Sequence, residues 1–559
     1  MRLLFKSSTA IAMATAALVS GCGGGGGAES SPNDAKLQFN PAAYTTVNIT
    51  VDGVATKVRQ YRIVYVANPI KMATTQANLG GNSTTTLADP YAYQSMIVSV
   101  PEDKVSDQKT ALYFLVNNGG WWASPVATTI SEGAKFVSTS DTDNIGAALK
   151  AGYVVVNVGT RSRGGARAED GRWMGKAPAP VVDAKAAIRY LRLNDSTMPG
   201  SAERIIVTGT SGGGGLTSAV SASGNSSDYL PFLAEVGAAG VVGSGSTATS
   251  TLKDDVFAAV AYCPINNLGN ADAGYEWEYN AVRSDSNTGA LGGVAYSAGP
   301  QPVASLAIAN AFPIYLNSLG LKREDGTPLT ADALREATKT LVKQELERQI
   351  AKGTAVPPLG GNFVTSRATL TNDWLTLSGT GTSATVANLD YSKFIRYVAA
   401  NQALKTVVAF DAVGVNGNAA ISGETNLFGS PAFQYSNFTD WSWTNNAVKG
   451  DGSGPDDTGL TWNQYLASSS NNLATQLKLI NPLSYLNTAA DSAPYWYVRH
   501  GMVDRDTAFA MQTLLYYALK NDSSIKDVSF KFPYLVGHTG NYDVQEAFGW
   551  IKAKLDANP

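Results

Sequence analysis

Residues 111–116 (ALYFLV) and 152–158 (GYVVVNV) are almost continuously apolar over the length of a strand. Strands apolar on both faces need cover on both faces, a condition met by a parallel sheet between two layers of helices. Other runs fit the same scheme. Residues 58–67 (VRQYRIVYVA) and 93–100 (YQSMIVSV) alternate roughly, and 204–208 (RIIVT), 257–263 (FAAVAYC), 495–498 (YWYV) and 528–532 (VSFKF) read as further strands. Helical spacing separates them: 181–193 carries apolar side chains at 181, 184, 188 and 191, 212–223 reads as a helix of small residues, and 542–555 as a closing helix. The alternation predicts an α/β fold on a doubly wound, mostly parallel sheet. With 44% hydrophobic and 16% charged residues, disorder and coiled coil are excluded. A balance of 42 basic against 45 acidic residues leaves no footprint for nucleic acid.

The pattern changes between residues 266 and 489. A long helix is expected at 331–352, capped by Thr330 and followed by Gly353, with apolar residues at 334, 337, 341 and 346. Around it lie Gly/Ser/Asn-rich stretches and a dense aromatic segment, 433–443 (FQYSNFTDWSW). Removing this block leaves 36–265 and 490–559, together the size of one α/β domain. The block 266–489 is therefore read as an inserted cap, or lid, over the C-terminal edge of the sheet, where it would exclude water and contact substrate.

At the N-terminus, Arg2 and Lys6 precede a short apolar run, 8–20, too short for the roughly 20 residues a membrane-spanning helix needs. Residues 1–21 read as a signal peptide, and Val19-Ser20-Gly21-Cys22 resembles the lipobox of bacterial lipoproteins, whose cysteine carries the lipid. Residues 22–35, with Gly23 to Gly27, are expected to be a flexible tether, with little order until about Lys36. Export across the inner membrane follows, with membrane contact only through this lipid anchor. Gly23 after the cysteine, in place of the Asp that retains lipoproteins at the inner membrane, favours the outer membrane, on its periplasmic side or at the cell surface. The other cysteine, Cys263, sits in an apolar run and reads as a buried core thiol.

Gly209-Thr210-Ser211-Gly212-Gly213 matches G-x-S-x-G. In a chain with 55 glycines the match alone is weak, but it follows a strand and opens a helix, the setting of a nucleophile elbow. Ser211 then needs a general base, and only His500 and His538 exist. His538 lies in a loop after the last strand. His500 opens His500-Gly501-Met502-Val503-Asp504, which resembles the turn of many α/β-hydrolases in which the Asp, not the His, joins the triad. The order Ser211, Asp504, His538 is the α/β-hydrolase order, and His500 reads as a residue shaping the loop or as a satisfied core histidine. Two backbone N–H groups must receive the oxyanion: Gly212, and either Gly120 or Trp121 in the loop Asn117-Asn118-Gly119-Gly120-Trp121-Trp122. Catalysis should fail at acid pH as His538 protonates, with a midpoint within a unit of the reference value of about 6.5. No metal or cofactor is expected. HExxH, Cys/His clusters and a Walker lysine are absent, and 451–457 (DGSGPDD) reads as a solvated acidic loop rather than a calcium site.

These residues resemble those of the bacterial tannases, α/β-hydrolases that cleave galloyl esters. The resemblance covers both core segments and is weaker through the cap. It is carried by Asn118-Gly119-Gly120-Trp121, 176–192 (KAPAPVVDAKAAIRYLR), the GTSGGG string with 223–229 (SGNSSDY), 262–268 (YCPINNL), 275–277 (YEW), 499–507 (RHGMVDRDT) and 537–551 (GHTGNYDVQEAFGWI). Fungal tannases and feruloyl esterases with a disulfide beside the triad form a different group, because only one cysteine follows Cys22 here. The resemblance implies a serine esterase whose partner is a small aryl ester, with the gallate hydroxyls bound by one lysine and two acids. Asp506 matches the second Asp of the D-x-D string, while Lys405 and Glu424 stand in cap strings similar to the family's, across a loop longer than the family's. Two other readings stay open: another aryl or feruloyl-type esterase on this scaffold, or a non-catalytic binding protein of the same ancestry.

Overall fold

The computed structural model describes residues 31–78, 83–284, 301–412, 423–449, 452–468 and 472–559. Cys22, the signal-peptide segment and the glycine run lie outside the described residues. Order begins earlier than Lys36. Ser31 is buried with its Oγ donating to the Val241 carbonyl at 2.7 Å, and Asp34 accepts from the Gly240 N–H at 2.8 Å.

Ten strands form one sheet: β1 (Thr45–Val51), β2 (Val54–Val64), β3 (Ser95–Pro101), β4 (Leu112–Val116), β5 (Lys135–Phe136), β6 (Val154–Val158), β7 (Ile205–Thr210), β8 (Ala258–Tyr262), β9 (Tyr495–Arg499) and β10 (Asp527–Lys531). Their spatial order is β10-β9-β8-β7-β4-β6-β3-β2-β1-β5. The strands from β10 to β6 are mutually parallel, and β3, β2 and β1 extend the sheet antiparallel. The helices that bear on the site are α1 (Asn144–Lys150), α2 (Ala179–Leu193), α3 (Gly212–Ala222), α4 (Leu268–Tyr279), α5 (Ala331–Ala351), α6 (Phe509–Asn521) and α7 (Val544–Asp556).

The period-2 geometry of a strand divides its side chains between two layers. On β4, Leu112, Phe114 and Val116 join the core shared with α2 and α3, while Tyr113 and Leu115 join the core shared with α1 and α7. Every residue of β4, β6 and β8 is buried, as their apolar runs require. Strand β1, next to the short edge strand β5, was not expected from apolar content, for its first half is mostly exposed. Its signal was the turn instead: Asp52 and Gly53 both take positive φ (52° and 78°), the conformation a two-residue hairpin needs.

β8 and β9 are neighbours, paired from Ala258–Tyr495 to Tyr262–Arg499. Yet the chain between them runs through α4, α5 and two small hairpins, Asn362–Val364 with Thr369–Thr371 and Leu375–Ser378 with Thr385–Leu389, none of which joins the large sheet. Thr330 caps α5 by accepting from the Ala333 N–H at 3.3 Å. This helix is tied to the core where Thr338 meets Thr513 of α6 at 2.8 Å, and where Glu345 accepts from the Tyr534 N–H at 3.0 Å. The aromatic segment forms no long element. It packs as stacked pairs, Phe428 on Phe438 (4.3 Å) and Trp443 on Tyr465 (4.0 Å). No helix among the described residues is long and apolar enough to cross a membrane.

Candidate active site

Ser211 stands between β7 and α3 with φ 62° and ψ −124°, a conformation that costs a residue with a Cβ about 1–3 kcal/mol. Its backbone is pinned on both sides. The Ser211 N–H donates to the Tyr262 carbonyl (3.0 Å), and its carbonyl accepts from Gly215 (2.9 Å) and Ile265 (3.0 Å). The turn is so tight that a Cβ on Gly209 would lie 2.4 Å from the Gly213 oxygen, and one on Gly212 would lie 2.0 Å from the Trp121 nitrogen. No side chain fits at either position.

Two later loops, following β9 and β10, bring their side chains to this serine. His538 Nε2 lies 2.8 Å from Ser211 Oγ, and its Nδ1 lies 2.8 Å from Asp504 Oδ2. Asp504 is fully buried, and its other oxygen accepts from the Asp506 N–H at 2.8 Å. Burial alone would raise the Asp504 pKa, but His500 and His538 outweigh it and hold the group below the usual carboxylate range. For His538, burial opposes the charge and the adjacent Asp504 carboxylate outweighs it, so the imidazole titrates above its ordinary value. His500 is buried in edge contacts with Phe509 and Phe532, with Nδ1 3.3 Å from Asp504 Oδ2, and burial keeps its pKa low. Cys263 is also buried, its Sγ donating to the Thr539 carbonyl (3.4 Å), and burial pushes its thiol pKa up.

The loop after β4 approaches Gly212 from the other side. Gly120 has φ 57° and lines the cavity above Ser211. Trp121, the alternative oxyanion donor expected from the sequence, does not fit that role: its N–H already donates to the Asn118 carbonyl at 2.8 Å and it does not line the cavity. The cause is Arg163, whose Nε donates to the Gly120 carbonyl at 2.5 Å and so fixes the Gly120–Trp121 peptide. The Trp121 indole is a buried strut, donating to the Ile265 carbonyl at 2.9 Å.

That cavity has a volume of about 300 Å3. Around it stand Ser211, His538, Gly120, Lys405, Glu424 and Asp506, so residues from six separate stretches of chain meet at one place. Asp506 is ion-paired with Arg505, and its Oδ2 is 3.8 Å from His538 Nδ1. Lys405 lies with Nζ 4.3 Å from the centre of the Phe410 ring. Helix α4 holds these pieces in place. The Tyr275 hydroxyl accepts from the Lys405 N–H (3.1 Å) and donates to the Arg505 carbonyl (2.8 Å), which joins the Lys405 and Asp506 segments. Asp272 accepts from the N–H groups of Ala409 (2.7 Å), Phe410 (2.9 Å) and Asp411 (3.0 Å). Burial, with Asp411 nearby, pushes the Asp272 pKa up to about 7.

Arg163, also in the cavity wall, was missed in the sequence. Its guanidinium lies 3.5 Å from Glu424 Oε1 and 4.1 Å above the Trp122 ring; burial lowers its pKa and Glu424 opposes that. Its position in the loop leaving the C-terminal end of β6 was the available signal, since α/β sheets bind ligands at that edge. Of the acidic stretch 451–457, Asp451 lies outside the described residues, and Asp457 accepts from the Gly452 N–H at 3.0 Å.

The BD-FAE family model matches residues 103–293. No curated protein matches the chain. Among solved structures, a tannase from Fusobacterium nucleatum is 29% identical with a TM-score of 0.69, covering 93% of this chain and 99% of its own. A tannin acyl hydrolase from Lactobacillus plantarum is 27% identical with a TM-score of 0.68, over 93% and 99%. A tannin acyl hydrolase in complex with ethyl gallate is 27% identical with a TM-score of 0.67, over 93% and 98%.

Proposed function

We propose that this carboxylic ester hydrolase, a tannase-type esterase on an α/β-hydrolase fold, cleaves galloyl esters through Ser211, His538 and Asp504. Ser211 Oγ attacks the ester carbonyl as His538 Nε2 takes its proton, and the imidazolium returns that proton to the departing alkoxide. Water, activated by the same imidazole, then hydrolyses the acyl-enzyme. Asp504 accepts from Nδ1, which keeps Nε2 basic and stabilises the imidazolium. The N–H groups of Gly212 and Gly120 receive the oxyanion. The observation that carries this reading is the pair of 2.8 Å contacts linking Ser211, His538 and Asp504 beside the cavity.

The acyl preference is argued from the cavity wall. A galloyl ring offers three adjacent phenolic O–H groups, which the carboxylates of Asp506 and Glu424 accept, while the Lys405 ammonium donates to a phenolic oxygen. A volume of about 300 Å3 lies at the small end of ligand pockets and suits one aromatic acyl group. The complex of a relative with ethyl gallate supports the same substrate class. The deciding experiment compares hydrolysis of methyl gallate, methyl ferulate and methyl benzoate. Methyl gallate should turn over fastest, because the analogues leave polar groups of the site unpaired. Equal rates on all three would leave a general arylesterase in its place. The N-terminal segment adds a second element to the proposal: lipid on Cys22 tethers the enzyme to a membrane surface, on the outer membrane.

A further inference from the structure

A second cavity, of about 670 Å3, has more than twice the volume of the catalytic one and shares no lining residue with it. Trp173, Phe232, Phe433 and Tyr435 supply aromatic walls. Lys176 also lines it, buried, with Nζ donating to the carbonyls of Asn426 (2.8 Å) and Gln434 and lying 5.9 Å from the centre of the Trp173 ring. The other charged groups of the lining are accounted for. Arg161 is bonded to the buried Asp183 at 2.7 Å, Arg172 pairs with Asp170 at 2.7 Å, and Glu235 acts on Arg161. Among the described residues no carboxylate pairs with Lys176, and the partners of its ammonium there are two neutral carbonyls and the Trp173 ring. A buried cation without a counter-charge is expensive, and in a cavity of ligand size it marks a place for an anion.

We propose that this cavity is a second ligand site, for an aryl carboxylate, with the ring between the aromatic walls and the carboxylate on Lys176. An ammonium–carboxylate hydrogen bond supplies the polar contact and offset ring packing the rest. The catalytic reaction releases a carboxylate of this class under the galloyl reading, but the site itself is argued from its own lining and stands without that reading.

The probe is benzoate, which the galloyl cavity should refuse for want of hydroxyls, so that binding at the two cavities is separable. Burial pulls the Lys176 pKa down to about 7, so much of it is neutral at pH 8, and a carboxylate placed beside it restores the proton. Calorimetric titration of the full chain at pH 8, in buffers of different ionisation heat, should therefore show one benzoate bound with net proton uptake. Neutral benzamide should bind at least about 10-fold more weakly. K176M should lose benzoate binding; W173A should weaken it about 10-fold and carries the test if K176M does not fold. Benzoate affinity unchanged in either folded variant, equal binding of benzamide, no proton uptake, or no binding by the wild-type chain overturns the proposal. Such a failure leaves the ester comparison untouched, because no turnover is measured.

Discussion

At the scale of single residues the site turns on Ser211 and His538. Replacing His538 by alanine removes the imidazole 2.8 Å from Ser211 Oγ, and kcat for methyl gallate and for phenyl acetate should fall about 10^4-fold or more. Undiminished turnover of either ester would remove His538 from the mechanism. The pH profile has a defined sign. Only neutral imidazole accepts the serine proton, and Asp504 raises the His538 pKa, so kcat/KM should fall with decreasing pH at a midpoint above the ordinary value of about 6.5. This revises the midpoint expected from the sequence, which contained no measure of how closely the two groups pair. In Asp504→Asn the acid limb should move down in pH, read from initial rates across a pH series. Asp506 is tested differently. Asp506→Asn should lower kcat/KM on methyl gallate about 10- to 100-fold, the equivalent of one hydrogen bond to a charged group worth about 1.5–3 kcal/mol, with little change on phenyl acetate. Equal losses on both esters would assign Asp506 a structural role.

At the scale of elements, α4 decides where Lys405 and Asp506 stand. Nothing in its sequence announces this: residues 266–489 read as one inserted cap, with no helix assigned at 268–279. Tyr275 and Asp272 lie on its buried face and reach segments more than a hundred residues away, so each bond is invisible until the chain has folded. Tyr275→Phe keeps the ring and removes the hydroxyl that bridges Lys405 and Arg505. It should cost about 1–3 kcal/mol in urea denaturation, because the Lys405 N–H is left without its acceptor. KM for methyl gallate should rise while kcat for phenyl acetate holds. If KM for the gallate ester is unchanged, the bridge does not set the position of Lys405. The elbow between β7 and α3 was legible by contrast, since its strand, its glycines and its serine are contiguous.

At the scale of the whole molecule, one sheet carries Ser211, Asp504 and His538, and the chain between two of its adjacent strands supplies Lys405 and Glu424 to the cavity wall. Ser211, Asp504 and His538 follow β7, β9 and β10, three strands of the parallel block, so their spacing is set by strands about 4.8 Å apart. Lys405 and Glu424 come from the long connection between β8 and β9. The N-terminal segment gives a prediction at this scale. Cys22→Ser should abolish palmitate labelling and move the enzyme from the membrane pellet to the soluble fraction, with specific activity on methyl gallate retained. Labelling that persists in the variant would refute the anchor.

The local order of the chain was enough to foresee most strands of the large sheet and the turn that carries Ser211, and it singled out Asp504 and His538 as the groups to look for beside it. Apolar periodicity, glycines in a turn and a scarcity of histidines are properties of neighbouring residues and of composition. Arg163, the engagement of the Trp121 N–H, the elevated His538 pKa and the Tyr275 bridge were decided only by tertiary structure. Each depends on a distance between groups far apart along the chain, and such distances are set by how the sheet and its long connection pack, which no local pattern encodes.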